Sequence, residues 1–181
     1  IEDYNNLGSQ YVYEPGSVFK PITYAAAIDS GNYDGDALVD SSPFCYTSDS
    51  NNNPIRTYGD GYGCIYNYEL ESWGSVPYDY GVIYSSNTIT SSVLSEVLGP
   101  DKFLEYLDRF KIFDAVDTDG ILENENSIQF EYPVDKLSAS YGQGVTVTML
   151  KLMQAYTAIL GNGEMVKPYY IDKIVDSSDE N

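Results

Sequence analysis

Histidine is absent from this 181-residue sequence. Its absence excludes Ser-His-Asp and Cys-His catalysis, which use an imidazole as base, and removes the commonest transition-metal ligand. Any acid–base chemistry falls to Lys, Asp, Glu or Tyr. Basic residues are scarce: 9 Lys and Arg stand against 28 Asp and Glu, a net charge of −19. Such a chain cannot neutralise a row of phosphates, which argues against nucleic acid as a partner. It is equally unsuited to a polybasic contact with anionic lipid. The acidity by itself implies only a self-repelling, solvated surface. There are two cysteines, Cys45 and Cys64, too few ligands for a zinc site here. They are either joined in an oxidising compartment or remain two thiols, and the sequence leaves both open. No run reaches the apolar length of a membrane span, and no signal peptide pattern is present. The chain begins at Ile1-Glu2-Asp3 and closes on the polar run Asp176 to Asn181. Both ends read as cuts from a longer protein.

The length fits one ordinary domain. After a polar, extended or looped start, Pro15-Gly16 signals a turn. A helix is expected from about Ser17 to Ser30. Pro21 is tolerable only in its first turn, and Gly31 supplies a stop. Asn32 to Asn67 is rich in Gly, Asn, Asp, Ser and Tyr and reads as a long loop carrying one or two short strands or hairpins. Loops of that length inside a compact domain are functional or constrained. A short helix is expected from about Asp79, its cap, to Ser85, and a second from Thr88 to Leu98, stopped by Gly99. Pro100 suits the first position of the next helix, whose stripe Phe103, Leu104, Leu107 and Phe110 is core. Phe113 to Pro133 is an acidic, irregular loop that lacks the register of a calcium loop. A helical turn over Asp135 to Ser140 leads to the glycine-bracketed Tyr141-Gly142-Gln143-Gly144. Thr148 caps a helix over Met149 to Leu160, with Lys151 on its exposed side. Met165 to Val175 alternates weakly and reads as a strand.

Ser17 and Lys20 stand three residues apart at the start of an apolar segment. On a helix these positions share a face, so the lysine amine lies beside the serine hydroxyl. Serine is a poor nucleophile until a neighbouring base takes its proton, and a desolvated lysine can be that base. A first-turn backbone N–H can also point at an oxyanion. The same spacing fits a capped helix with a surface lysine, so the pair alone does not decide. Ser85-Ser86-Asn87 places polar residues between two apolar helical stretches, where they are costly unless used. The tyrosines of the long loop either stack on a ligand or pack the loop.

The order of these pieces resembles a known family. Tyr13-Glu14-Pro15-Gly16-Ser17-Val18-Phe19-Lys20-Pro21 resembles the nucleophile motif of penicillin-binding proteins, and Tyr84-Ser85-Ser86-Asn87-Thr88 resembles their second motif. Tyr141 to Thr148, followed by Gln154-Ala155-Tyr156-Thr157-Ala158-Ile159 and Gly161-Asn162-Gly163, is similar to a later stretch of the transpeptidase domain. The closest likeness is to the class B, monofunctional transpeptidases of cell-wall synthesis. The resemblance implies that Ser17 is acylated, Lys20 is its general base, and Ser85 relays a proton to the leaving amine. It implies that Asn87, with Gly142 and Gln143, binds substrate. It implies acyl transfer from D-Ala-D-Ala stem peptides, inhibition by β-lactams, and no metal or cofactor. The implied protein lies outside the cytoplasmic membrane, anchored by a segment not in this chain. It meets division or elongation machinery through parts not present here.

The departures shape the expected fold. The family's third motif, Lys-Thr-Gly or Lys-Ser-Gly, occurs nowhere in the sequence, and the glycine-rich piece near Asp117 to Ile121 is poorly kept. The expectation for residues 1–181 is therefore a partial transpeptidase domain. It is mainly α with short β pieces, the helical part of an α/β fold like that of serine β-lactamases, with most of the central sheet absent and little activity alone. Two alternatives stand beside it. One is a serine carboxypeptidase or β-lactam hydrolase or sensor using Glu123 or Glu125 to activate water. The other is a non-catalytic extracytoplasmic interaction domain.

Overall fold

The computed structural model describes residues 5–175. In chain order the helices are α1 (Leu7–Gln10), α2 (Lys20–Asp29), α3 (Tyr80–Ile83), α4 (Asn87–Ser92), α5 (Pro100–Arg109), α6 (Pro133–Ser140) and α7 (Met149–Leu160). The strands are β1 (Val12–Tyr13), β2 (Leu38–Asp40), β3 (Phe44–Ser48), β4 (Pro54–Arg56), β5 (Gly63–Ile65), β6 (Ser75–Pro77), β7 (Ser127–Ile128) and β8 (Val145–Thr148). They form three small sheets, ordered β1-β8-β7, β2-β6 and β4-β3-β5, all with antiparallel neighbours. The described residues are thus mostly helical with short β pieces, the expected class.

Helix α2 is central because its side chains are small or apolar almost all round. Ile22, Ala26 and Ala27 are buried against Ile89, Val93, Leu94, Phe103 and Leu107, with Leu137, Val145 and Val147 in the same core. A helix apolar on more than one face belongs inside rather than on a surface. Thr23 stays buried without penalty by donating its hydroxyl to Ser140 O of α6 at 2.7 Å.

Several expectations are corrected in detail. The α-helix begins at Lys20 rather than Ser17, because a 3-10 turn over Gly16–Phe19 precedes it. Asp79 does not cap α3; its carboxylate accepts from the Tyr33 hydroxyl at 2.8 Å instead. The second apolar helix opens at Asn87, capped by the Ser86 hydroxyl, and widens into a π-helix over Val93–Leu98 before Gly99. The Asn32 to Asn67 stretch, expected to carry one or two short strands or hairpins, carries four strands, β2 to β5. Strand β3 is flanked by β4 and β5, and Cys45 pairs directly opposite Cys64, to which it is disulfide-bonded. That decides between the two cysteine readings.

Thr148 caps α7 as expected, accepting from Lys151 N at 3.2 Å, but Lys151 is not exposed. It is buried, and its amine donates to Gln154 Oε1 at 2.8 Å. Burial pulls its pKa down, partly opposed by the Asp114 and Glu123 carboxylates. Leu152 and Ala155 carry the core contact of α7, and Met153 is exposed. Met165 to Val175 forms no strand. The N–H groups a ladder needs are taken elsewhere: Tyr170 and Ile171 both donate to Asp119 Oδ2, and Val166 to Thr157 Oγ1.

Candidate active site

Three pieces of chain meet around the Lys20 amine. The first is the 3-10 turn, which leaves Ser17 exposed while Phe19, fully buried, anchors it from below. Gly16 opens that turn at φ +59, and its N–H donates to Gly142 O at 2.8 Å. The contact is close. Gly142 sits at φ +86, and a Cβ there would fall 2.1 Å from Gly16 O. Only glycine fits both the left-handed backbone and the approach. The loop is tied a second time by Gly144 N, which donates to Glu14 Oε1 at 2.8 Å. Gly142 therefore buttresses the Ser17 turn through its backbone. Gln143 is exposed, and its N–H donates to Ser138 O at 3.0 Å.

The second piece is Lys20 itself. It is 2% exposed and forms no ion pair among the described residues. Its amine donates to Ser17 Oγ at 3.1 Å, to Ser85 Oγ at 3.0 Å, and to Ser85 O. Burial without a countercharge disfavours the ammonium, and the pKa falls to about 8. The three contacts match the three hydrogens of an ammonium. A neutral amine has two hydrogens and a lone pair, so one contact must reverse. Ser85 O can only accept. The reversal therefore falls on a hydroxyl, and Ser17 and Ser85 are the two present. The site can thus pass a proton between either serine and the amine without moving a backbone atom.

The third piece is the link between α3 and α4. Ser85 is held at φ +53, a left-handed backbone that costs a non-glycine residue about 1 kcal/mol or more. That conformation turns both its carbonyl and its hydroxyl to Lys20. Ser86 caps α4, and Asn87 donates its amide to Tyr66 O at 3.2 Å. The structure thus brings Ser17, Lys20 and Ser85 into one hydrogen-bonded group. Asn87 lies two residues further on, Gly142 beneath the Ser17 turn, and Gln143 beside it in sequence but exposed.

The chain matches the model for the penicillin binding protein transpeptidase domain over residues 1–181. It belongs to the penicillin-binding protein transpeptidase family. Among curated relatives, the "Peptidoglycan D,D-transpeptidase FtsI homolog" of Mesostigma viride is 26% identical over 187 residues, covering 99% of this chain and 30% of the relative. Penicillin-binding protein 1A of Streptococcus oralis is 29% identical over 164 residues, covering 90% and 22%. The chain therefore spans less than a third of either relative. The crystal structure of Penicillin Binding Protein 2X from Streptococcus thermophilus superposes with a TM-score of 0.74 at 24% identity, over 93% of this chain and 23% of that one. This likeness shows a transpeptidase-like fold.

Two further observations refine the site of this transpeptidase-family chain. Glu123, a candidate for activating water, has both carboxylate oxygens committed: they accept from Val116 N at 2.6 Å and Asp117 N at 2.7 Å. The apolar groove lined by Pro21, Tyr24, Ile28, Val82, Tyr106 and Met165 contains none of the candidate residues. Sequence reading missed Asn67, whose buried amide contacts Ser86 and Thr88 on either side of Asn87. No local pattern marks it, because it lies in a stretch where asparagine is common.

Proposed function

We propose that this chain carries the acylating centre of a serine-type peptidoglycan D,D-transpeptidase. Ser17 attacks the carbonyl of the D-Ala-D-Ala bond in a stem peptide, and Lys20 takes its proton. The leaving D-alanine amine receives a proton by way of Ser85. Asn87 holds a substrate amide, and the Ser17 backbone N–H serves as one oxyanion donor. An amine of a neighbouring stem then attacks the Ser17 ester, which forms the new amide and frees Ser17. A β-lactam mimics the first step and stalls the second. The observation that carries this reading is the Lys20 amine, buried, unpaired with any carboxylate among the described residues, and bonded to both Ser17 Oγ and Ser85 Oγ. A lysine so placed is suited to be a base rather than a structural cation.

The reaction is placed outside the cytoplasmic membrane, where the disulfide is at home. No helix of the described residues is long and apolar enough to cross a membrane. Anchorage and contacts with division or elongation machinery are proposed for parts of the protein outside residues 1–181. Residues 1–181 are proposed as part of one transpeptidase domain. The test is incubation of the protein carrying this chain with a fluorescent penicillin, followed by mass location of the adduct. A stable adduct on Ser17, lost in Ser17→Ala, is expected. Rapid turnover of the drug would point to a hydrolase, and no adduct on folded protein would refute serine acyl chemistry.

A further inference from the structure

We infer that Asn67 is a positioning residue for the Ser85–Asn87 turn, held in register by the Cys45–Cys64 staple. The starting point is a mismatch between the turn and its neighbours. Ser85 adopts a left-handed backbone, and Ser86, Thr88 and Thr90 are polar side chains buried at the start of α4. Such a turn holds one shape only if something outside it saturates those groups.

Asn67 does so. Its Oδ1 accepts from Ser86 Oγ at 2.9 Å and Thr88 N at 3.1 Å. Its Nδ2 donates to Glu71 O at 2.9 Å and Thr88 Oγ1 at 3.1 Å. Thr88 Oγ1 in turn donates to Ser41 O at 3.0 Å. The residue before it, Tyr66, accepts from the Asn87 amide. Residues 66 and 67 therefore grip Ser86, Asn87 and Thr88 in succession. They follow directly on β5, and Cys64 in β5 is bonded to Cys45 in β3. A three-residue edge strand alone is a weak support. The covalent tie makes it a fixed one.

Asn67 touches neither Ser17 nor Lys20, so its action is through Ser85 and Asn87. The kinetic arm of the test rests on the acyl-transfer reading above; the structural arm does not. With Asn87 as the amide-holding residue, Asn67→Ala lowers the rate of Ser17 acylation by a penicillin by about tenfold or more, as small misplacements do. It lowers acylation by 6-aminopenicillanic acid, which has a free amine in place of the side-chain amide, by less. Hydrogen exchange at the amides of residues 86–89 quickens, while exchange in α2 is unchanged. Thr88→Val, which removes the hydroxyl that accepts from Asn67 Nδ2 while leaving the Ser86 cap of α4 in place, shifts each measurement in the same direction and serves where Asn67→Ala does not fold. Equal losses with the two drugs, uniform quickening across the chain, or no change in either variant would overturn the inference. If the unsubstituted protein forms no Ser17 adduct, the acyl-transfer reading fails, and exchange alone decides the role of Asn67.

Discussion

The proposed acylation carries a pH dependence set by the surroundings of Lys20. A solvated lysine has a pKa near 10.5, and burial without a carboxylate partner lowers that of Lys20 to about 8. In the proposed mechanism Lys20 acts as the base and must be neutral, so the active fraction rises with pH and saturates above the folded pKa. At pH 7 about one molecule in ten carries neutral Lys20, and at pH 6 about one in a hundred. For a pKa of 10.5 the fraction at pH 7 would be about three in ten thousand. The second-order acylation rate with a fluorescent penicillin should therefore climb about tenfold from pH 6 to 7. It should gain up to about another tenfold before levelling above pH 8. The assay is stopped-flow or gel-resolved labelling across pH 5.5 to 9.5, with the drug's own hydrolysis subtracted. A flat profile between pH 6 and 8 would refute the base assignment. So would an inflection near 10, which would place the amine in water.

Replacing Lys20 tests the same burial through stability. The unfolded chain holds the proton up to about pH 10.5 and the folded chain only to about 8, so folding is penalised below 8 and the penalty is relieved between 8 and 10.5. Lys20→Met should abolish labelling yet raise stability at pH 7 by about 1–3 kcal/mol, with the difference from wild type shrinking toward pH 10.5 in denaturant melts. Gly142→Ala forces a Cβ to within 2.1 Å of Gly16 O at φ +86. It should cost at least about 2 kcal/mol and slow labelling more than tenfold, read by melting and by the penicillin assay. Joint Cys45→Ser and Cys64→Ser opens a loop with a sequence separation of 19. This should cost about 3 kcal/mol by loop-closure entropy, measured by urea unfolding under non-reducing conditions.

What could be read from sequence was local. Ser17 and Lys20 are neighbours on any helical geometry, so their contact followed from spacing, and Thr148 capped α7 because capping is decided within one turn. Gly31, Gly99 and Pro100 marked helix ends for the same reason. Where the outcome depended on residues far along the chain, pattern failed. Lys151 looked exposed because lysine usually is, yet its helix turn faces inward and Gln154 receives its amine. Met165 to Val175 alternated like a strand but found no partner strand, and Asp119 took two of its N–H groups. Asp79 had the right residue type for a cap and a better-placed partner in Tyr33. Asn67 was invisible because all its significance lies in residues 19 and 21 positions away.

The long loop shows why local reading stops short of the site. Asn32 to Asn67 has too few apolar residues to fold as an independent core, and a sheet of three short strands is marginal alone. Beyond the β2–β6 pairing and the bonds from Lys136 of α6 to Asn51 O and Asn53 Oδ1, three fastenings bear on the site. Arg56, with 7% of its side chain exposed, bonds Asp40 Oδ2 at 3.2 Å and Ser92 Oγ of α4 at 3.2 Å. Its guanidinium also lies over the Phe44 and Tyr58 rings. The disulfide fixes β3 to β5, and Asn67 fixes the end of β5 to α4. Two of the three fastenings reach α4, the helix that opens at Asn87. A loop held only for its own sake would close on itself. This one closes on the segment that presents Ser85 to Lys20, so loosening it should be felt at the amine before it is felt in the core.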